Sequence, residues 1–182
     1  MKISPGEKLI LHMLADLFEH LGVESELDPA FIKSALDGHE WAISSRYGGF
    51  ERDNSSDQVA NEVGEILMMW RVIEERYAEL STDEKARLAA LSPIFGEEPK
   101  FPGFDGNAGT GHYGTAAFLI RHDFGWDHFK KHYLNSHGSA PVEGQLRMVA
   151  RFREVQSQKN FEPLSVEDLA TILDERVHPE NR

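Results

Sequence analysis

The chain has no cysteine among its 182 residues, which excludes disulfide bridges, thiolate metal sites and cysteine nucleophiles. It also lacks any apolar run approaching the roughly 20 residues that a membrane span needs, and its first residues lack the apolar core of a signal peptide. Nineteen basic residues against thirty-one acidic ones give a formal charge of −12, which repels nucleic-acid phosphates. We therefore expect an acidic, cytoplasmic protein without direct contact to membranes or nucleic acid.

Period-two alternation, the pattern of a half-buried strand, is missing as well. Apolar residues instead recur at helical spacing along almost the whole chain. Three segments begin with a serine followed three residues later by an acid, a helix-capping signature: Ser4 to Glu7, Ser81 to Glu84 and Ser165 to Asp168. Asp28-Pro29 is a further helix start. The sequence predicts an all-α fold.

The longest predicted helix runs from about Asp57 to Leu80 and would be about 35 Å long at 1.5 Å per residue, so we expect it to be the central packing element. A chain of 182 residues is the usual length of one domain, and a single core of that size buries about 70% of the unfolded surface. We therefore predict one domain over residues 1–182. We expect seven to nine helices in a bundle-like array. The others are predicted at residues 5–21, 29–38, 41–45, 82–91, 112–124, 126–133, 142–155 and 166–173, with a turn at 47–49.

Prolines and glycines concentrate between residues 92 and 111, which predicts a loop of about twenty residues. A C-terminal tail is expected at 177–182. The segment 101–137 differs from the rest in composition, since it holds five of the nine histidines and eight of the eighteen aromatic residues. We therefore expect any functional site to lie in this segment.

His128 and His132 are four residues apart, which places both imidazoles on one face of a predicted helix. Two such histidines are half of a zinc site, and His122, His137 or His112 would supply a third ligand. Against this, the inward stripe of that helix is formed by aromatic residues at 126, 129 and 133, and no glutamate separates the histidine pair as in metalloproteases. Solvated or hydrogen-bonded histidines are the favoured interpretation, and a divalent metal is the alternative.

A second candidate site surrounds the turn Phe104-Asp-Gly-Asn107. Asp and Asn commonly close turns by accepting bonds from nearby amides. Alternatively, Asp105, Asn107 and His112 converge as polar groups in the wall of a small-ligand pocket, as such sites require. Tyr113 is then a further pocket residue, and Arg121 a possible contact for an anion. No nucleotide-loop or hydrolase-triad motif is present, and no cofactor is predicted.

Several segments together resemble the YfbU-like family of bacterial proteins over roughly residues 3 to 174. The resemblance rests on Glu7-Lys-Leu-Ile-Leu11, on Phe101-Pro-Gly-Phe-Asp-Gly-Asn107, on Tyr113 and on Leu134-Asn-Ser-His137. It implies an α-helical domain of unassigned biochemical function, for which no catalytic residues are established. Some relatives are thought to join this domain to a helix-turn-helix domain, which implies a ligand-sensing or interaction module.

Three hypotheses follow for function. The first is a non-enzymatic regulatory module that binds a small ligand or a protein around residues 101–137 and forms a homo-oligomer. The second is a metal-dependent enzyme that uses His122, His128, His132 and His137. The third is a structural protein that assembles into homo-oligomers, with the small residues Ala116 and Ala117 at a close helix contact.

Overall fold

The computed structural model describes residues 3–47, 58–122, 124–160, 162–178 and 180. These residues form eight α-helices and two short 3-10 helices, and contain no β-strand, which confirms the predicted all-α class and helix number. The chain divides into two compact units, Met1–Val59 and Ala60–Arg182. That residues 1–182 form a single domain stays a prediction. Residues 48 and 49 of the predicted turn, the proposed helix start at Asp57 and residues 179, 181 and 182 of the predicted tail lie outside the described residues.

The first unit contains three helices: α1 (Pro5–Leu21), α2 (Pro29–Leu36) and α3 (Trp41–Tyr47). The Ser4 side chain accepts from the amide of Glu7, and the Glu7 carboxylate accepts from the amide of Ser4 at 2.7 Å, so the predicted capping box is present. At the other end Gly22 takes the left-handed conformation (φ 62°), which favours glycine after a helix. The core of this unit is small and centres on fully buried Phe31.

The second unit is built on α4 (Gln58–Glu79), the long helix that the sequence predicts. After it come α5 (Thr82–Leu91), α6 (His112–Arg121), α7 (Val142–Lys159) and α8 (Val166–Leu173). One face of α4 is fully buried through residues such as Ile66, Trp70 and Ile73, because apolar residues recur there every three or four positions. The predicted long helix with a buried apolar face is therefore present, and its role as the central packing element stays a prediction.

A buried amide joins three parts of this second unit. The Gln145 side chain accepts a hydrogen bond from Trp70 Nε1 at 3.0 Å and donates one to the carbonyl of Gly103 at 3.1 Å. Gln145 is almost completely buried. Because both ends of its amide are satisfied, it connects α7, α4 and the 92–111 loop without leaving an unpaired polar group.

The loop between α5 and α6 has no helix, as predicted, but it is anchored. Phe101 and Phe104 are buried, and the ring centroids are 5.3 Å apart in an edge-to-face arrangement. Phe104 forms a parallel bridge with Asn135, in which the Phe104 amide donates to Leu134 at 2.8 Å and the Ser136 amide donates to Phe104 at 2.9 Å. The loop is therefore fixed to the 134–136 segment.

Three sequence predictions near this loop are wrong. The helix predicted over 126–133 is only a 3-10 helix at Asp127–Phe129, and α6 ends at Arg121 rather than at residue 124. Tyr133, predicted to face inward, is exposed. Gly125 takes a positive φ of 84° directly before the short helix, and the chain turns again after Phe129 because the His132 amide donates to Phe129 at 3.0 Å.

Candidate metal centre

Glu74 lies on α4 one turn after Trp70, next to the buried face of the helix. Its side chain is only 11% exposed. Carboxylate atom Oε1 accepts a hydrogen bond from the backbone amide of Phe101 at 2.7 Å. A buried acid is costly unless its oxygens are bonded, and this amide satisfies one of them. The other oxygen is directed at two histidines.

His128 and His132 both contact Glu74. His128 Nε2 lies 2.6 Å from Oε2, and His132 Nε2 lies 2.9 Å from Oε2 and 3.2 Å from Oε1. The two imidazole centroids are 5.5 Å apart. The histidine side chains are 27% and 20% exposed, so the site is close to the surface but partly desolvated.

Phe129 holds the two histidines in place. This residue is fully buried, and its ring lies 4.8 Å from the His128 ring and 5.1 Å from the His132 ring, centroid to centroid. It also packs edge-to-face on Phe101 at 5.3 Å. The aromatic anchor and the carboxylate partner therefore fix the histidine rings from two directions.

The three side chains form a potential ligand set. Their donor atoms all lie within 4.8 Å of one another, and this is the only group of three or more such residues found in the described ranges. Two imidazole nitrogens and one carboxylate oxygen suit Zn²⁺ and other first-row divalent ions. In the geometry present, both histidines donate Nε2–H to the carboxylate. A cation would take the place of those two protons.

The position of the proton on the His132 ring affects how tightly this site would hold a metal ion. Coordination through Nε2 puts the remaining proton on Nδ1, and metal-bound histidines usually donate that proton to an acceptor. His132 Nδ1 is buried and has no hydrogen-bond partner among the described residues. Glu74 does have such support from Phe101. Since loss of outer-shell support typically costs about 10–100-fold in affinity, an ion at this set would be held less tightly than at a fully supported one.

The other histidines predicted as ligands lie elsewhere. His137 Nε2 is 2.9 Å from the hydroxyl of Tyr133, and the His122 ring packs on Phe118 at 4.7 Å between centroids. His112 Nε2 is 2.8 Å from Oε2 of Glu62. None of these three residues belongs to the group around Glu74 in the described part of the chain.

The turn at Asp105 and Asn107 has the hydrogen bonds of a turn closed by its own side chain. Asp105 Oδ1 accepts from the Asn107 amide at 2.9 Å. The side chain of Asn135 accepts from the amides of Gly106 and His137, both at 3.1 Å. These bonds close the turn and attach it to the 134–137 segment, so the turn supports the position of the nearby histidine segment.

The remaining predicted pocket residues lie on α6. His112 is buried, and its ring packs 5.7 Å from that of Phe104. Tyr113 and Arg121 are exposed. The small-ligand site therefore stays a prediction, and its predicted residues are Asp105, Asn107, His112, Tyr113 and Arg121.

An open pocket of about 660 Å³ lies at the C-terminal end of α4 and is rich in charged groups. Its wall includes Lys100 and Arg176, together with Tyr77. The Arg176 guanidinium lies 4.2 Å from the centroid of Phe95, and burial lowers its pKa from the ordinary value. None of the residues singled out from the sequence lines this pocket.

These features define an all-α protein with a Glu-His-His candidate metal centre formed between its long helix and the segment after α6. A family model, described as the YfbU domain, matches residues 1–175. The chain therefore belongs to the YfbU family. No curated protein and no solved structure matches it. None of the helices in the described ranges has the length and apolarity needed to cross a bilayer.

Proposed function

We propose that this YfbU protein is a non-enzymatic regulatory module that binds a divalent transition-metal ion at Glu74, His128 and His132. The observation that carries the proposal is the convergence of two imidazole Nε2 atoms on one carboxylate oxygen, at 2.6 and 2.9 Å. Imidazole nitrogen suits Zn²⁺, Ni²⁺, Cu²⁺ or Fe²⁺ better than Ca²⁺ and Mg²⁺, which prefer oxygen ligands.

The regulatory part of the proposal follows from where the ligands lie. Glu74 is on α4, whereas both histidines are on the segment that follows α6, with His128 in its short 3-10 helix. A bound ion would cross-link this segment to the long helix. The same segment reaches the 92–111 loop through the bridge between Phe104 and Asn135. Metal binding is therefore expected to stiffen both segments, and a partner that recognises them would sense the metal.

Binding would stabilise the folded chain. An ion at 100 times its dissociation constant adds about 2.7 kcal/mol to the free energy of unfolding. In a chain of this length each kcal/mol raises Tm by about 2–4 °C. We expect added Zn²⁺ to raise Tm by about 5–10 °C, measured by calorimetry on protein prepared without a histidine tag. Isothermal titration should give one ion per chain.

Three variants and one control test the ligand assignment. Glu74→Gln, His128→Ala and His132→Ala should each abolish the thermal shift, because each removes one of three ligands. His137→Ala is the matched control, since this histidine is on the same segment but bonds to Tyr133. Its shift should equal that of the unmodified protein. The proposal fails if no ion binds stoichiometrically, or if the ligand variants and the control respond alike.

A metal-dependent enzyme is the second candidate, and one observation favours it. Three protein ligands leave a coordination position open, as catalytic zinc sites do. This alternative predicts that metal-loaded protein turns over an activated ester or phosphate ester, and that Glu74→Gln removes this activity while His137→Ala retains it. Binding of metal without any turnover supports the regulatory module.

A further inference from the structure

The outer face of α1 is apolar and exposed. Six large apolar side chains on this helix are between 46% and 64% exposed: Leu9, Ile10, Met13, Leu14, Leu17 and Leu21. Only Ala15 is buried among the 17 residues of the helix. The sequence stripe that would ordinarily indicate a core-facing helix is therefore largely on the surface.

The helix itself is well anchored within its unit. An adjacent side contacts α2, where Leu11, Leu14 and Phe18 of α1 and Ile32 of α2 line a small apolar pocket, so that Leu14 lies at the border between this pocket and the exposed face. Lys8 donates to the carbonyl of Leu36 at 3.1 Å. Caps at both ends, the Ser4 capping box and the left-handed Gly22, complete the helix. The exposed face is thus a preformed surface.

The spacing of the exposed residues fits one kind of partner. Ile10, Leu14, Leu17 and Leu21 follow one another at intervals of four, three and four residues. These alternating intervals of four and three residues match the a and d positions of a two-helix coiled coil. Such a seam packs against another helix of the same repeat, which a second copy of α1 supplies.

Charge and area agree with self-association. Asp16 and Glu19 lie away from the seam, on the side of α1 where both contact Lys33 of α2, at 2.9 and 2.6 Å. Two copies can therefore approach at this face despite the net charge of −12. Six half-exposed side chains present roughly 500 Å², the upper range for a monomer surface patch. Buried on both copies, these side chains would remove about 1,000 Å² from water, which is the minimum expected of a biological interface.

We propose that two copies of this chain associate through their α1 helices, with the Ile10, Leu14, Leu17 and Leu21 seams packed together around a two-fold axis. Two-fold dimers are the commonest oligomers and need a self-complementary surface. The fully buried Ala116 on α6 offers no comparable face. The inference is independent of the metal centre, whose ligands lie on α4 and the segment after α6.

Light scattering after size exclusion, from about 1 to 100 µM protein, tests the proposal. The unmodified protein should have twice the 20.6 kDa mass of one chain. Leu17→Glu should weaken association at least about 100-fold and give the single-chain mass, because central apolar residues dominate interface energy. Leu91→Glu on α5 is the matched control, since Leu91 is 44% exposed and Leu17 49%. Its mass should stay doubled.

Cysteine cross-linking gives a second readout that does not require dissociation. Because the chain has no cysteine, Leu17→Cys introduces one thiol, and oxidation should link two chains if the seams run parallel. For antiparallel seams, the double variant Leu14→Cys, Leu17→Cys should cross-link instead. Leu91→Cys should stay uncross-linked. A single-chain mass for the unmodified protein at every concentration overturns the proposal, as does a dimer that Leu17→Glu leaves intact.

Discussion

Gly103 lies against the backbone of the segment that carries the histidines. Its φ is +84°, a region that L side chains rarely adopt. A Cβ atom added there would lie 2.6 Å from the carbonyl carbon of Leu134 and 3.1 Å from the nitrogen of Asn135. The Gly103 carbonyl also accepts from Gln145. Only glycine allows this approach, on which the Phe104–Asn135 bridge depends.

Gly103→Ala should therefore be much more harmful than the same change at Gly109. Gly109 also has a positive φ, +67°, but has open space where a Cβ would be added. Both substitutions incur about 1–2 kcal/mol for a left-handed backbone, and Gly103→Ala adds about 1–3 kcal/mol of steric overlap. Urea unfolding of the two variants measures the difference. Equal losses would show that the close approach contributes nothing.

Glu74 shows why the sequence predicts half of the candidate site. The two histidines four residues apart are visible as a pattern, but Glu74 precedes His128 by 54 residues. Local periodicity carries no information about such a distant contact. One signal was available, because an acid placed one turn after Trp70 and beside Ile73 lies at the border of an apolar face, where an unpaired carboxylate would be costly.

At the scale of elements, the helix starts are the most predictable features. The capping boxes at Ser4, Ser81 and Ser165 are all present. They can be read from the sequence because the serine and its partner are three residues apart and satisfy each other's amides. The box at Ser165 is reinforced, since Lys159 contacts Asp168 at 2.7 Å.

Ser165→Ala should destabilise the chain by about 1 kcal/mol, because an amide at the start of α8 loses its acceptor. The corresponding fall in Tm is about 2–4 °C. Ser157→Ala is a suitable control, since that hydroxyl donates only to the Glu154 carbonyl within α7 and is exposed. Differential scanning calorimetry compares the two variants. A Ser165→Ala loss no larger than the control loss would contradict the capping role.

Two elements show the limits of periodicity. The aromatic spacing over 126–133 is compatible with a helix, but Gly125 and the tight turn after Phe129 restrict the helix to Asp127–Phe129. On α1 the apolar stripe is real, yet most of it is exposed. Periodicity shows that a face is apolar, whereas what covers that face depends on contacts that no local pattern encodes.

At the scale of the whole molecule, several carboxylates are held in their charged form. The backbone and side-chain hydrogen bonds from Ser81 lower the pKa of Glu84, and those from Ser4 lower the pKa of Glu7. Burial raises the pKa of Asp168, but the bonds from Lys159 and Ser165 outweigh it, so the net pKa is lowered. These groups stay ionised further into acid in the folded chain than in the unfolded chain.

Acid should therefore destabilise the fold. A carboxylate whose pKa is lowered by folding contributes stability above its unfolded pKa, near 4, and this contribution is lost as the pH falls through the folded value. We expect the free energy of unfolding in urea to decline below about pH 4.5. Glu84→Gln should make that decline shallower, since it removes one such group. A free energy that stays constant from pH 6 to pH 3 would contradict this expectation.

The hydrogen bond from the Phe101 amide to Glu74 gives the protein a spectroscopic reporter of its own. The amide donates to one carboxylate oxygen while the two histidines contact the other. A change in the charge or position of that carboxylate alters the shielding of the amide proton and its exchange with solvent. The nuclear magnetic resonance signal of Phe101 should therefore follow events at the centre directly, without an introduced label.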